Sequence, residues 1–357
     1  MMHFNLAMKL TLPIAFFGYA VVANLALSRS DIAGPDFATL FDGKATQEID
    51  GIYRDNLPHR SAAVAWIGAA RYVLLKEGRL GVVPGQDGWL FTDEEFRSAS
   101  ANDHGLNEVT DWIASVSADL DRKGTQLVVV PLPAKLDIAR DHSSNVAQSD
   151  AMNAFYTTFL AQLDAKSVAV VDTYDALLGT SDAFFQTDTH WTGAGADAVA
   201  KTVAESGLVQ WGADKFEKIY AEEVTFSGDL ISFVTSDALA PHVGLPVERE
   251  VPYSAVAQSE EPETGALDLF GSDGPTPYAL VGTSYSANEN WSFAEALKLR
   301  LRHDVLNFAE QGQGPIAPMR RYLETVSEQE MPETVLWEIP VRYLTDPEIL
   351  QLREAGS

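Results

Sequence analysis

Short, almost fully apolar runs alternate with helical segments along this chain, and this alternation limits the possible folds more than any other feature. The runs lie at residues 126–130, 167–171, 278–281, 305–308 and 335–339. Strands that are apolar on both faces are typical of parallel sheets covered by helices on both sides. The sequence therefore predicts an α/β fold with three layers and a mostly parallel sheet. Functional residues are expected just beyond the carboxyl ends of its strands, where such folds bind their ligands.

Helical patterns fill the intervals between the apolar runs. They lie at residues 61–76, 108–123, 150–163, 192–206 and 293–301. Residues at about 210–276 interrupt the alternation. The part at 254–277 is rich in Ser, Glu, Gly and Pro, and a long segment of this composition indicates a surface excursion that acts as a lid.

Two short motifs supply an acid, a base and a nucleophile. One is Asp188-Thr189-His190-Trp191, and the other is Gly282-Thr283-Ser284-Tyr285, directly after an apolar run. A serine becomes nucleophilic when an imidazole takes its proton and a carboxylate holds that imidazole in one tautomer. Asp188 and His190 are two residues apart, so both side chains project to one side of an extended loop. We therefore expect Asp188, His190 and Ser284 to form a catalytic triad.

Each motif also has a structural or metal-binding interpretation. An Asp-x-His sequence occurs by chance in many capped loops, and Ser284 would serve equally well as a helix N-cap. Asp188 and His190 are metal-ligand types, but the chain has no His-x-x-x-His pair and no cysteine to complete a ligand set. A phosphate-binding glycine-rich loop is missing as well. Neither a metal nor another cofactor is expected.

The net charge narrows the choice of partners. The 51 Asp and Glu residues against 25 Lys and Arg residues give a formal charge of -26, which argues against a nucleic acid as partner. A polyuronate would also be repelled unless a local basic patch lines the groove. Candidates for such a patch are Arg320 with Arg321, and Lys298 with Arg300 and Arg302.

The N-terminus carries an apolar run at residues 10–27 that follows Lys9. This run predicts a secretory signal peptide or a membrane anchor, and its length favours an uncleaved anchor in the inner membrane. The predicted domains are therefore a signal segment at residues 1–28 and one catalytic domain at residues 29–357, with the excursion at about 210–276. The catalytic domain is expected in the periplasm.

Several motifs together resemble the alginate O-acetyltransferase family of AlgJ and AlgX type, over about residues 40–345. They are Asp188-Thr189-His190-Trp191, Gly282-Thr283-Ser284-Tyr285-Ser286, Asp87-Gly88-Trp89-Leu90-Phe91, Trp337-Glu338-Ile339-Pro340 and Arg342-Tyr343-Leu344. The resemblance implies an SGNH-hydrolase-like fold in which the catalytic residues follow the order Asp, His, Ser. It also implies that Ser284 is the nucleophile, His190 the general base and acid, and Asp188 the orienting carboxylate.

The resemblance implies an O-acetyltransferase that acts on an exopolysaccharide, alginate or a similar glycan. Its expected partners are a membrane-bound acyltransferase that supplies acetyl, the polysaccharide chain and other polymer-secretion components. The oxyanion of the reaction needs fixed donors, for which the Ser284 N–H is a natural candidate. The side-chain candidates for the oxyanion or the substrate are Tyr285, Asn288, Asn290, Arg342 and Trp191, the last as an apolar wall or a sugar-stacking face.

Two alternatives remain open at the level of sequence. The same triad with water as the acceptor would make the protein a carbohydrate acetylesterase. A catalytically silent glycan-binding or assembly subunit would use Ser284 as a helix cap and Trp191 as a sugar platform. The branch of the family is also open, since the motif around Ser284 is closer to the secreted branch, whereas the N-terminal run and the length are closer to the short, anchored one.

Overall fold

The computed structural model describes residues 13–14, 16–25, 27, 46–47, 50–53, 57, 59–97, 103–258 and 277–346. The chain divides into two compact units, residues 1–70 and 71–357. In the first unit, the described residues between 13 and 27 are helical. Among the described residues, no helix combines the length and the apolar character that a membrane span requires. The predicted domain boundary between residues 28 and 29 lies outside the described residues.

The helices and strands follow one another largely as the sequence pattern predicts. From residue 60 onward, the helices are α1 (Arg60–Leu75), α2 (Asp103–Arg122), α3 (Lys135–Ile138), α4 (Val146–Ala165), α5 (Tyr174–Leu178), α6 (Gly193–Glu205), α7 (Ser284–Ala287), α8 (Phe293–Leu301) and α9 (Ile316–Thr325). The strands are β1 (Val82–Pro84), β2 (Leu90–Thr92), β3 (Gln126–Leu132), β4 (Ala169–Val170), β5 (Phe216–Tyr220), β6 (Val224–Phe226), β7 (Glu248–Glu250), β8 (Tyr253–Ala257), β9 (Tyr278–Val281), β10 (Val305–Asn307) and β11 (Thr334–Pro340).

Five of these strands form a central parallel sheet in the order β10-β9-β11-β3-β4. Side chains alternate between its two faces, so that Val129 and Trp337 point to one side and Val128 and Leu336 to the other. Helices α2, α4 and α9 cover the first face, and α6 and α8 cover the second. The structure thus has the three layers and the parallel sheet that the apolar runs predict.

Strand β3 is longer than the predicted run because it continues through Pro131. In a parallel strand, the N–H and C=O of one residue point toward the same neighbouring strand. The carbonyl of Pro131 accepts a hydrogen bond of 2.6 Å from Thr173 Oγ1, which lies beyond the end of β4. Pro131 therefore faces the side of β3 on which β4 has already ended, and its lack of an N–H costs no hydrogen bond between strands.

The interruption at residues 210–258 contains regular structure of its own. Strands β5 and β8 pair antiparallel, as do β6 and β7, and a 3-10 turn spans Asp229–Phe233. Leu230 and Ile231 from this turn are buried in a small apolar cluster with Leu90 of β2. This part of the excursion is therefore packed against the β1–β2 hairpin. The remainder of the predicted lid, residues 259–276, lies outside the described residues.

Candidate active site

Ser284 is the first residue of α7, directly beyond the carboxyl end of β9. Thr283 is the N-cap residue, and its Oγ1 accepts from the backbone N–H of Tyr285 at 3.3 Å. Ser284 itself is partly exposed, whereas the residues on either side of it are buried. The turn thus presents one hydroxyl to the solvent and anchors its neighbours in the protein.

Glu338 of β11 holds this turn from below, although it is fully buried. Its carboxylate accepts from Thr283 N at 2.8 Å, from Thr283 Oγ1 at 3.1 Å and from Ser286 Oγ at 3.0 Å. Burial raises the pKa of Glu338 to about 7, against the lowering effect of these hydrogen bonds. A Cβ at Gly282 would lie 2.5 Å from Glu338 Oε2, so only glycine allows this close approach.

The three predicted triad residues are in hydrogen-bond contact. His190 Nε2 lies 2.7 Å from Ser284 Oγ, and His190 Nδ1 lies 2.6 Å from Asp188 Oδ1. The His190 backbone N–H also donates to Asp188 Oδ1 at 2.9 Å. This is the arrangement in which a carboxylate fixes one imidazole tautomer and leaves Nε2 free to take a proton from the serine.

Asp188 is buried, and its Oδ2 accepts a hydrogen bond of 2.9 Å from the backbone N–H of Asp229. Burial alone would raise the pKa of Asp188, but the hydrogen bond and the charge of His190 outweigh it. The result is a pKa below the ordinary value, with the Asp229 N–H contributing to the lowering. Asp188 is therefore a carboxylate at neutral pH, as an orienting residue must be.

Asp229 is a site residue that the sequence analysis missed. Its carboxylate accepts from Thr189 N at 2.9 Å and from Thr189 Oγ1 at 2.5 Å, and Oδ2 lies 4.0 Å from His190 Nδ1. It comes from the excursion, about forty residues beyond the histidine. No motif surrounds it, so its only signal in the sequence is an acidic residue after Gly228.

Asp188, His190 and Asp229 also form a cluster that metal ions could use, since one donor atom of each lies within 4.8 Å of the others. The hydrogen bonds decide against this use in the observed arrangement. His190 Nδ1 faces Asp188 Oδ1 at 2.6 Å, a contact that needs a proton between the two atoms. A nitrogen that carries a proton cannot bind a metal, so the cluster fits a triad better than a metal site.

Two of the other predicted residues are structural in this fold. Trp191 is fully buried, and its Nε1 donates to the Tyr285 carbonyl at 3.1 Å, so the prediction of a sugar-stacking face is wrong, although the ring does form an apolar wall. Successive side chains of an extended segment point to opposite sides, which turns Trp191 inward when His190 faces the site. Tyr285 is also buried, and its hydroxyl donates to the Thr189 carbonyl at 2.6 Å.

The remaining predicted residues lie at the edges of the site. Asn288 caps the short turn after α7 through Oδ1, which accepts from Asn290 N at 3.1 Å. Both asparagines line a cavity of about 610 Å³ beside α7. Arg342 is buried behind Tyr285, where its guanidinium pairs with Glu94 and donates to the Tyr343 hydroxyl at 2.9 Å.

Comparison with known proteins gives concordant matches. A family model described as an SGNH hydrolase-like domain, acetyltransferase AlgX, matches residues 82–341. A probable alginate O-acetylase AlgJ of Pseudomonas fluorescens is 34% identical over 364 residues, which cover 96% of this chain and 87% of that protein.

Solved structures agree with these sequence matches. The O-acetyltransferase domain of Pseudomonas putida AlgJ has a TM-score of 0.63 at 30% identity, covering 77% of this chain and 99% of that one. The structure of Pseudomonas aeruginosa AlgX has a TM-score of 0.58 at 24% identity, covering 75% of this chain and 64% of that one. The second match shows a common fold.

Proposed function

The chain belongs to the family of SGNH hydrolase-like acetyltransferases of the AlgX type, and we propose that it transfers acetyl groups to hydroxyls of alginate or a similar exopolysaccharide. Family membership confirms the resemblance seen in the motifs, the fold class and the assignment to the O-acetyltransferases. The relatives named alginate O-acetylase support alginate as the acceptor. The observation that carries the proposal is the continuous path of hydrogen bonds from Asp188 through His190 to Ser284.

In the proposed first half-reaction, Ser284 Oγ attacks the carbonyl carbon of an acetyl ester while His190 Nε2 takes its proton. Collapse of the tetrahedral adduct breaks the bond to the alcohol of the donor. That alcohol leaves with the proton returned by His190, and the acetyl group stays on Ser284. Asp188 remains ionised and stabilises the imidazolium that forms in between.

In the second half-reaction, a hydroxyl of the glycan replaces the donor alcohol. Its proton passes to His190 Nε2 as its oxygen attacks the acetyl carbon, and the bond between the acetyl group and Ser284 Oγ breaks. Ser284 then recovers the proton. Water in place of the glycan would give the acetylesterase reaction with the same residues.

The oxyanion of both half-reactions needs donors that are already in place. The N–H of Ser284 belongs to the first turn of α7, where no acceptor exists within the helix, and we assign it to the oxyanion. Asn288 and Asn290 are the predicted side-chain candidates with exposed surface. Tyr285 and Arg342 are buried behind the triad, so we assign them to its support.

A negatively charged acceptor such as a polyuronate would be repelled by the net charge of -26 on the protein. Three of the five basic residues considered for a local patch form ion pairs with acidic residues of the protein: Lys298 pairs with Asp304 at 3.1 Å, Arg300 with Asp197 at 2.5 Å, and Arg321 with Glu310. Long-range repulsion is weakened by salt. Acetylation of a polyuronate is therefore expected to rise with ionic strength, while acylation of Ser284 by a neutral ester is not.

The proposal places the catalytic domain in the periplasm, with residues 10–27 as its inner-membrane anchor. The donor would be a membrane-bound acyltransferase that passes acetyl across the bilayer, and other polymer-secretion components would deliver the glycan. These assignments rest on the apolar N-terminal run and on relatives named for alginate biosynthesis.

Intact-mass spectrometry of the full chain after incubation with p-nitrophenyl acetate tests the chemistry. We expect a single acetyl adduct that is lost in Ser284→Ala and retained in Ser115→Ala, a matched change at an exposed serine of α2. Oligosaccharides prepared from deacetylated alginate should then accept the group faster than water does. An adduct that persists in Ser284→Ala would refute the nucleophile, and hydrolysis without transfer would identify an esterase.

A further inference from the structure

Lys135 is a fully buried lysine next to the triad, and neither the motifs nor the proposed reaction accounts for it. It begins α3, just beyond the carboxyl end of β3, and its side chain is 1% exposed. Its Nζ donates to three backbone carbonyls: Leu90 O at 2.6 Å, Asp188 O at 2.8 Å and Gln186 O at 3.1 Å. Two of these carbonyls belong to the loop that carries the catalytic Asp188 and His190.

The Asp87-Gly88-Trp89-Leu90-Phe91 motif forms the other wall of the lysine site. The rings of Trp89 and Phe91 have their centroids 5.1 and 5.4 Å from Nζ, within the range of cation–π attraction. The Leu90 N–H donates to the Gln186 carbonyl at 2.9 Å. Strand β2 and the catalytic loop are thus joined both directly and through the ammonium group.

Carboxylates surround the ammonium group at longer range. Glu95 accepts from the backbone N–H groups of Lys135 and Leu136 at 2.9 and 3.0 Å, and Asp188, Asp229 and Glu248 add their charges. Burial lowers the pKa of Lys135 to about 8, and these four carboxylates oppose the lowering.

We propose that Lys135 is a positioning residue of the triad: its ammonium group ties the Asp188 carbonyl to β2 and thereby aims the Asp188 carboxylate at His190 Nδ1. This inference rests on the proposed acylation of Ser284. The proposal also gives the Trp89–Phe91 segment a role, since the rings of Trp89 and Phe91 contact the ammonium group of Lys135 and form one wall of its site.

The number of donors makes the arrangement sensitive to pH. A protonated lysine has three N–H donors for the three carbonyls, whereas the neutral amine has two and turns a lone pair toward the third. Loss of the proton removes one of these three hydrogen bonds and turns the nitrogen lone pair toward a carbonyl oxygen, which loosens the loop. We therefore expect acylation of Ser284 to decline as the pH rises through about 8.

Lys135→Met tests the proposal because it keeps the length of the side chain and removes the donors. We expect the rate constant for acylation by p-nitrophenyl acetate to fall about 10²-fold, as small misplacements of catalytic groups do, with little change in KM. The decline above pH 8 should also be absent. Leu120→Ala is the control: it opens a cavity beside the amino end of β3, away from the triad, so it should lower stability but leave the rate per folded molecule unchanged.

Because the chain has no cysteine, chemical rescue can be directed to this one position. Lys135→Cys, unfolded, alkylated with 2-bromoethylamine and refolded, regains an ammonium group that is more acidic than that of lysine. Activity should return, and its alkaline decline should begin at a lower pH than in the unaltered protein. Lys166→Cys, treated identically, should keep the original pH profile.

Proton NMR of the full chain supplies a readout that does not depend on acylation. The low-field resonance of the proton between His190 and Asp188 should shift or broaden in Lys135→Met and remain unchanged in Leu120→Ala. An unchanged resonance together with a wild-type rate and pH profile would overturn the inference. If the unaltered protein forms no Ser284 adduct, the proposed function fails, and the resonance alone decides whether Lys135 positions the loop.

Discussion

Glu338 and Lys135 support the two loops of the triad with opposite charges. The Ser284 turn directs N–H and O–H donors inward, and the carboxylate of Glu338 accepts three of them. The Asp188–His190 loop directs carbonyls inward, and the ammonium group of Lys135 donates to two of them and to Leu90. The sign of each buried charge therefore follows from the hydrogen-bond donors or acceptors that each loop turns toward the protein.

The pKa values of Glu338 and Lys135 are both shifted toward neutral pH, one upward and the other downward. Burial raises the pKa of Glu338 from 4.5 to about 7 and lowers the pKa of Lys135 from 10.5 to about 8. Both groups carry their working charge only in the interval between these two values. Activity is thus expected to be greatest where burying these charges costs the most stability.

Removing a triad member tests both loops at once and has the largest expected effect. His190→Ala should reduce acylation of Ser284 about 10³-fold or more, since the serine loses its base, and Asp188→Asn should have an effect of similar size. Stopped-flow release of p-nitrophenol measures the rate. His242→Ala, at an exposed histidine, is the control. Full activity of His190→Ala would refute the assignment.

Glu338→Gln removes the negative support alone. The amide group of glutamine faces donors that need an acceptor, so we expect about 1–3 kcal/mol lower stability and about 10²-fold slower acylation. Denaturant unfolding and the burst rate measure the two effects. Glu217→Gln, on the exposed strand β5, should change neither. If Glu338→Gln were as active as the unaltered enzyme, the turn would not depend on its buried charge.

The pH profile compares the two supports in one experiment. For Glu338, the folded-state pKa is raised, so its contribution to stability is complete below 4.5 and is lost as the pH rises through about 7. For Lys135, the folded-state pKa is lowered, so its contribution is complete above 10.5 and is lost as the pH falls through about 8.

The rate of acylation should therefore peak between about pH 7 and 8, where the summed contribution of these two groups to the free energy of unfolding is smallest. Lys135→Met should remove the alkaline side of the activity profile, and Glu338→Gln should alter the acidic side without abolishing it, because the reaction still needs His190 Nε2 as the proton acceptor. Thermal unfolding and burst kinetics across the same buffers measure both curves. A flat rate from pH 6 to 9 would show that neither charge supports catalysis.

Asp229→Asn tests the carboxylate that binds Thr189 beside the triad, and it has the smallest expected effect. An amide oxygen can still accept from the Thr189 N–H, and the backbone N–H that binds Asp188 is unchanged, so the change removes the charge and one of the two acceptor oxygens. We expect acylation to slow about fivefold, because a neutral acceptor replaces a charged one. Asp237→Asn, on the same excursion, is the matched control. A loss as large as that of His190→Ala would place Asp229 among the catalytic residues.

The sheet and the triad were predictable because both depend on local patterns. Apolar runs specify buried parallel strands, and the Asp-x-His spacing places two side chains on one side of a loop. The position of Trp191 next to His190 in the sequence indicates a surface role, but neighbouring residues of an extended segment face opposite ways, and Trp191 is buried.

The buried charges were harder to find. Lys135 comes just after Pro133 and Ala134 at the end of β3, where a lysine is ordinarily exposed, and its three acceptors lie more than 40 residues away in either direction. Glu338 did leave a signal, since it is the one charge within the apolar run at 335–339. A charge inside a run that otherwise specifies a fully buried strand must find a partner, and that requirement points to a functional role.

The position of β11 in the chain affects when the catalytic domain can complete its folding during synthesis. This strand comes after every other strand of the sheet in the chain, yet it lies at the centre, between β9 and β3, and it carries Glu338. A nascent chain that ends before Pro340 cannot close the sheet or seat the serine turn. We therefore expect the catalytic domain to complete its folding only late in synthesis, once the segment that carries β11 is available.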